Sequence, residues 1–191
     1  GHTDIIHDAD FSPDGQTVAT AGADGKAILW NVESGQAQLE VDAHEGNVQS
    51  IAYHPKGGQI ATTGGSDNSV KLWDTTSGAE LAKFEIGIAV TDLDYSADGS
   101  KIVTADQSGT IKVWSANPGE ELLSIDGGEA TLNSVIFSPD ATLIAASGTD
   151  QQISIWNVKT SQLERQINAH TDVVSDLSFG PAGDKIASVS H

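Results

Sequence analysis

Short runs in which apolar and polar residues alternate recur along the 191 residues, each closed by a cluster of Gly, Pro, Asp, Asn or Ser. A period of two places alternate side chains on opposite faces, the pattern of half-buried β-strands, and the closing clusters are turn residues. The first block reads as strands at Ile5 to Phe11, Val18 to Ala21, Ala27 to Trp30 and Ala37 to Val41. Between them lie the turns Ser12-Pro13-Asp14-Gly15, Ala23-Asp24-Gly25 and Glu33-Ser34-Gly35. In the first of these proline sets φ and glycine supplies φ > 0. The second block repeats the order with Val48 to Tyr53, Ile60 to Thr63, Val70 to Trp73 and Leu81 to Ile86. The third runs Val90 to Tyr95, Ile102 to Ala105, Ile111 to Trp114 and Glu121 to Ile125. The fourth runs Leu132 to Phe137, Leu143 to Ala146, Ile153 to Trp156 and Leu163 to Ile167. A fifth starts at Ala169-His170 and carries Val173 to Phe179 and Ile186 to Val189.

The four tryptophans, Trp30, Trp73, Trp114 and Trp156, stand 43, 41 and 42 residues apart, each at the same place in its block. Four strands in a repeat of about 40 to 45 residues describe a β-propeller blade. Apolar residues precede each tryptophan by one and three positions, as with Val70 and Leu72 before Trp73, while the residue between them varies. One blade alone cannot bury both faces, and stacking blades side by side supplies the missing core. The expected fold is all-β, a propeller of four complete four-stranded blades plus the first two strands of a fifth, open or partial as a ring. It reads as one domain, 1–191, with repeats of about 1–42, 43–85, 86–127, 128–168 and an incomplete 169–191.

Composition narrows the function. Nine Lys and Arg against 27 Asp and Glu leave a net charge of −18, which argues against nucleic acid or an anionic membrane as partner, because phosphate binding needs clustered cations. No apolar run approaches the ~18 to 20 residues of a membrane span, so a soluble protein is expected. The absence of cysteine removes disulfides, thiolate nucleophiles and Cys-ligated zinc.

Gly1-His2, Ser12-Pro13-Asp14-Gly15, Ala23-Asp24-Gly25, Leu29-Trp30 and Trp73-Asp74 resemble the WD40 repeat, and the resemblance covers the whole chain. It implies a buried hydrogen-bonded tetrad of His, Ser or Thr, Asp and Trp in each complete blade. On this pattern the first blade offers His2, Thr20, Asp24 and Trp30, and the second His44, Thr63, Asp67 and Trp73. The third keeps Thr104 and Trp114 but has Ser108 at the Asp position and no His. The fourth keeps Asp150 and Trp156 but has Ala146 for the hydroxyl residue and Gly127-Gly128 for Ala-His, while the fifth begins with His170 and Ser188.

A His, a hydroxyl and an Asp in one network invite comparison with a hydrolase triad. Catalysis needs an exposed nucleophile and an oxyanion site, whereas these groups would satisfy one another inside a sheet, so no catalytic residue is expected. The pairs Asp14-Gly15, Asp24-Gly25 and Asp98-Gly99 lack the alternating acidic ligands of a calcium loop and read as hairpin turns. His7 and His54 have no ligand-spaced partners, and the Gly-rich segments lack the Lys-Ser/Thr of a phosphate cradle, so no metal or cofactor is expected.

The resemblance also implies a partner-binding face at the start of each first strand and the turn before each third. That face comprises His7, Asn47, Gln49, Ser66, Thr91, Gln107, Asn133, Thr149 and Ser175, with Ile5, Ala23, Ala89, Thr131 and Val173 alongside. The expected function is a non-enzymatic protein–protein interaction scaffold, part of a larger WD40 propeller or multidomain protein. The alternatives are a small-molecule site or activity in the central channel, and a regulatory module fused to a catalytic domain outside this sequence. Two strands at one end cannot complement the other end into a closed blade, so the segment is expected to need further blades or another chain, and to associate when made alone.

Overall fold

The computed structural model describes every residue except Pro118 and Ala169, so the first residue of the fifth repeat lies outside the described residues. Regular structure among those described is entirely β. The chain divides into two compact units, Gly1–Val90 and Thr91–His191.

The first unit holds two antiparallel four-stranded sheets. One is β1 (Ile6–Phe11), β2 (Thr17–Gly22), β3 (Lys26–Asn31) and β4 (Ala37–Asp42). The other is β5 (Val48–Tyr53), β6 (Gln59–Gly64), β7 (Ser69–Asp74) and β8 (Glu80–Glu85). Spatial order follows sequence order in both, so every connection is a hairpin. The β1–β2 turn is tied by its own side chains: Ser12 Oγ donates to Asp14 at 2.6 Å and accepts from the Thr17 N–H at 2.9 Å. Three residues link β2 to β3, and Gly25 takes φ 80 there, where a Cβ would stand 2.8 Å from the carbonyl oxygens of His44 and Gly46. Four residues link β6 to β7, and Asn68 at φ 53 takes the left-handed position instead.

The core of this unit lies between its two sheets. Ala27, Leu29 and Val41 pack with Val48, Ile51, Tyr53, Ile60 and Trp73, and Leu39 covers the edge. Trp73 thus belongs to a core shared with the third and fourth strands of the preceding sheet. Two carboxylates of β1 cross the same junction. Asp8 accepts from Ser50 Oγ and the Ile51 N–H, both at 2.9 Å, and Asp10 accepts from the Tyr53 N–H at 2.7 Å.

Apart from Val90, the second unit contains the sheet β9 (Val90–Tyr95), β10 (Lys101–Asp106), β11 (Thr110–Ser115), β12 (Glu121–Asp126). It continues with β13 (Leu132–Phe137), β14 (Leu143–Gly148), β15 (Gln152–Asn157), β16 (Leu163–Asn168), and then the two-stranded β17 (Val174–Phe179) and β18 (Ile186–Ser190). Its packing repeats that of the first. Val113 and Ile125 meet Val135, Phe137, Ile144 and Trp156, while Ile153, Ile155 and Ile167 meet Val174, Leu177 and Ile186. Asp92 and Asp94 accept from the N–H groups of Val135 and Phe137, both at 2.8 Å. At the next junction the chemistry changes: Ser134 donates to Asp176 at 3.3 Å, and Asn133 Nδ2 donates to the Val174 carbonyl at 3.2 Å.

Candidate functional site

His-centred networks bring polar groups together inside the first two blades. In the first blade, His2 from the segment before β1 reaches Asp24 through Nδ1 at 2.9 Å and Thr20 through Nε2 at 2.8 Å. Trp30 Nε1 donates to Thr20 Oγ1 at 2.8 Å. The indole can only donate and the carboxylate can only accept, while the Thr20 hydroxyl also donates to the Ile28 carbonyl at 3.2 Å. Burial opposes ionisation of Asp24, but the Thr3 N–H, His2 and the Lys26 N–H outweigh it and hold the carboxyl at about 2.

The second blade has the same arrangement with one correction to the sequence reading. Its hydroxyl is Thr62, which meets His44 Nε2 at 2.8 Å and accepts from Trp73 Nε1 at 2.9 Å. Thr63 faces the other side of the sheet and accepts from the Ser50 N–H at 3.0 Å. The four-residue β6–β7 hairpin puts one extra residue between hydroxyl and tryptophan, so counting back from Trp73 lands one position late. The usable signal is the His, 18 residues before the hydroxyl at Thr20, Thr62 and Ser188 alike. The His44 side chain is fully buried and that of Asp67 is 15% exposed. Burial pushes the imidazole below its ordinary value, against the opposing pull of Asp67.

Two glycines belong to these networks and escape a reading by chemical type. A Cβ on Gly22 would overlap His2 Nδ1, and one on Gly64 would overlap Asp67 Oδ1 and His44 Nδ1. The His–Asp bond therefore requires glycine at the last residue of the second strand. In the third blade Asp106 stands there and accepts from the Ser108 hydroxyl and the Thr110 N–H, while Trp114 still donates to Thr104 at 3.0 Å. In the fourth, Asp150 accepts from the Gln152 N–H in its turn, and Trp156 is buried in the sheet core. In the fifth, His170 Nε2 meets Ser188 Oγ at 2.8 Å.

The residues expected on the partner face sit at β-bulges and hairpin tips. Register slips at the second residue of the first strand, between Ile6 and Asp8, Val48 and Ser50, Leu132 and Ser134, and Val174 and Asp176. A bulge re-aims the side chain it contains, here His7, Gln49, Asn133 and Ser175. Several are tied down. Asn47 donates to Gln49, Thr91 to the Ala105 carbonyl and Ser175 to the Val189 carbonyl, and Asn133 to Val174 as above. His7 and Ser66 in the first unit, and Gln107 and Thr149 in the second, are exposed. Among the described residues no group of three or more His, Asp or Glu converges as a metal site would, and no helix is long and apolar enough to cross a membrane.

The sequence model of the family described as WD domain, G-beta repeat matches residues 1–31, 35–74, 85–115, 119–157 and 161–191. The chain belongs to the WD40 family. The matched segments after the first straddle two sheets: 35–74 takes in β4 together with β5, β6 and β7. Among its relatives, this WD40 chain is 27% identical to the Periodic tryptophan protein 2 homolog of Dictyostelium discoideum, over 97% of this chain and 20% of that protein. It is 25% identical to the WD repeat-containing protein SL1-17 of Schistosoma mansoni, over 85% of this chain and 54% of that protein. The guanine nucleotide-binding protein subunit beta of Zea mays is 25% identical over 100% of the WD40 chain and 54% of its own length. The chain thus spans between a fifth and about half of these relatives.

Proposed function

We propose that this WD40 chain is a non-enzymatic scaffold for protein partners and works as the propeller portion of a larger WD40 or multidomain protein, completed by further blades or another chain. The observation that carries this reading is the disposition of its polar groups. The imidazole, hydroxyl and carboxylate of the first-blade network satisfy one another inside the sheet, from Trp30 through Thr20 and His2 to Asp24. Exposed polar side chains stand at bulges and hairpin tips, His7 and Ser66 in one unit and Gln107 and Thr149 in the other. Neutral hydrogen-bonding residues on rigid strand ends suit recognition of a folded protein better than turnover.

A comparison of wild type with the pair Ser66→Arg and Gln107→Arg tests it. A partner that binds wild type saturably should lose at least tenfold in affinity to either variant, with unchanged urea midpoints. Partners indifferent to both substitutions, or a reaction catalysed by the chain, would refute the reading.

A further inference from the structure

A cleft of about 320 Å³ lies in the first unit between the β1–β2 turn of one sheet and the β5–β6 turn of the next, lined by Asp14, Thr17, Gln38, Tyr53 and Lys56 among others. The second unit shows which of these side chains the fold itself requires. A cleft of about 310 Å³ holds the same place there, between the β13–β14 and β17–β18 turns. In both, a turn proline faces a glycine of the next sheet: a Cβ on Gly57 would stand 3.7 Å from Pro13, and one on Gly183 3.4 Å from Pro139. The turn hydrogen bonds align Thr17 with Leu143 and Gly57 with Gly183, so Lys56 corresponds to Ala182. Tyr53 corresponds to Phe179 at the end of the first strand. The fold therefore builds this junction with apolar side chains at all three positions. The two hydroxyls and the ammonium of the first unit are additions to it.

These polar groups are arranged, and the charges among them are kept apart. Tyr53 is 7% exposed. Burial raises its pKa to about 12 against the opposing Thr17 hydroxyl, with Asp14 and Asp10 adding to the rise, so the phenol stays neutral. Thr17 Oγ1 donates to Gln38 Oε1 at 3.4 Å. Asp14 and Lys56 hold equivalent places in their two turns. Asp14 is tied into its own turn by the Ser12 hydroxyl and the Gln16 N–H, as Asp98 and Asp140 are in theirs. In the β5–β6 turn His54 Nδ1 instead accepts the Lys56 N–H at 3.1 Å, which leaves the side chain of residue 56 out of the tie. Lys56 Nζ makes no ion pair among the described residues. Facing turns thus present a carboxylate and an ammonium that do not neutralise each other. The net charge of −18 disfavours a free anion here, and Lys56 disfavours a free cation. A molecule carrying both charges meets neither objection.

We propose that this cleft binds a free zwitterionic α-amino acid with a polar side chain. Its carboxylate lies against Lys56, its ammonium against Asp14, and its side chain hydrogen-bonds with Tyr53, Thr17 and Gln38. The volume is at the lower end of ligand pockets and suits one such molecule. The cleft shares no residue with the exposed set of the proposed function, so either can fail alone.

The test titrates the WD40 chain with L-glutamine by calorimetry and by amide chemical shifts. L-Glutamine should bind saturably, with shifts at Thr17, Tyr53 and Lys56. N-acetyl-L-glutamine, which lacks the ammonium, the α-amide, which lacks the carboxylate, and L-leucine should each bind at least about fivefold more weakly. Lys56→Gln should bind L-glutamine and its α-amide alike with an unchanged urea midpoint, and Lys56→Arg should keep the preference. Tyr53→Phe should erase the preference for glutamine over leucine. No saturable binding, equal affinity for the singly charged analogues, glycerol binding as tightly as L-glutamine, or shifts confined elsewhere would each overturn the proposal.

Discussion

Thr62 receives one proton from Trp73 and meets the imidazole of His44, so the second-blade network is a chain in which each member satisfies its neighbour. Removing its terminal acceptor strands the buried imidazole N–H. Asp67→Ala should cost about 1 to 3 kcal/mol, whereas Ser108→Ala, in a turn that keeps its Asp106 backbone contacts, should cost less than about 0.5 kcal/mol. Equal midpoints in chemical denaturation would contradict this. His44 also sets a pH dependence. Its folded value is depressed, so between that value and the unfolded ~6.5 the unfolded chain binds more protons, and stability falls as pH drops through this window. A second loss follows as pH falls from ~3.9 towards the value of about 2 held by Asp24. His44→Gln should flatten the upper limb and leave the lower one, in urea midpoints measured from pH 7.5 to 3. The His and Trp members were legible in the sequence because each is a scarce residue, and the Asp because it stands six residues before the tryptophan in both blades. The threonine was not, because Thr62-Thr63 offers two hydroxyls and the choice depends on a one-residue difference in hairpin length. Gly22 and Gly64 were illegible for another reason: their role is the space they leave.

At the scale of the strand, the sheets were readable from alternation and turn residues, with bounds shifted by a residue or so. The bulges were not, since a slip of register in a first strand leaves no mark in the hydrophobic pattern, and neither were the carboxylates that cross between sheets. Asp10 shows why these matter. Burial raises its pKa, with the Tyr53 and Phe11 N–H groups opposing and nearby Asp8 adding to the rise. Its carboxylate therefore persists by hydrogen bonding to the neighbouring strand rather than by solvent. Ser50, 2% exposed, donates to Asp8 across this junction. Ser50→Asp would set two carboxylates face to face in a buried site, and a loss of at least about 2 kcal/mol at pH 7 is expected. The gap from wild type should narrow at pH 4 as one carboxyl takes up a proton, and a gap that widened there would refute the account.

For the molecule as a whole, a charge of −18 with only nine cationic side chains leaves no basic surface for phosphates. Fluorescence anisotropy with duplex DNA should show no salt-sensitive complex below about 10 µM in physiological salt, and a submicromolar one would refute this. The junction chemistry has a larger consequence. Asp8, Asp92 and Asp176 stand 84 residues apart, as do Ser50 and Ser134, so aspartate and serine alternate from one sheet to the next. Within a unit, duplicating a single blade would therefore set aspartate against aspartate or serine against serine, and the serine-to-aspartate hydrogen bond that crosses the junction would be lost.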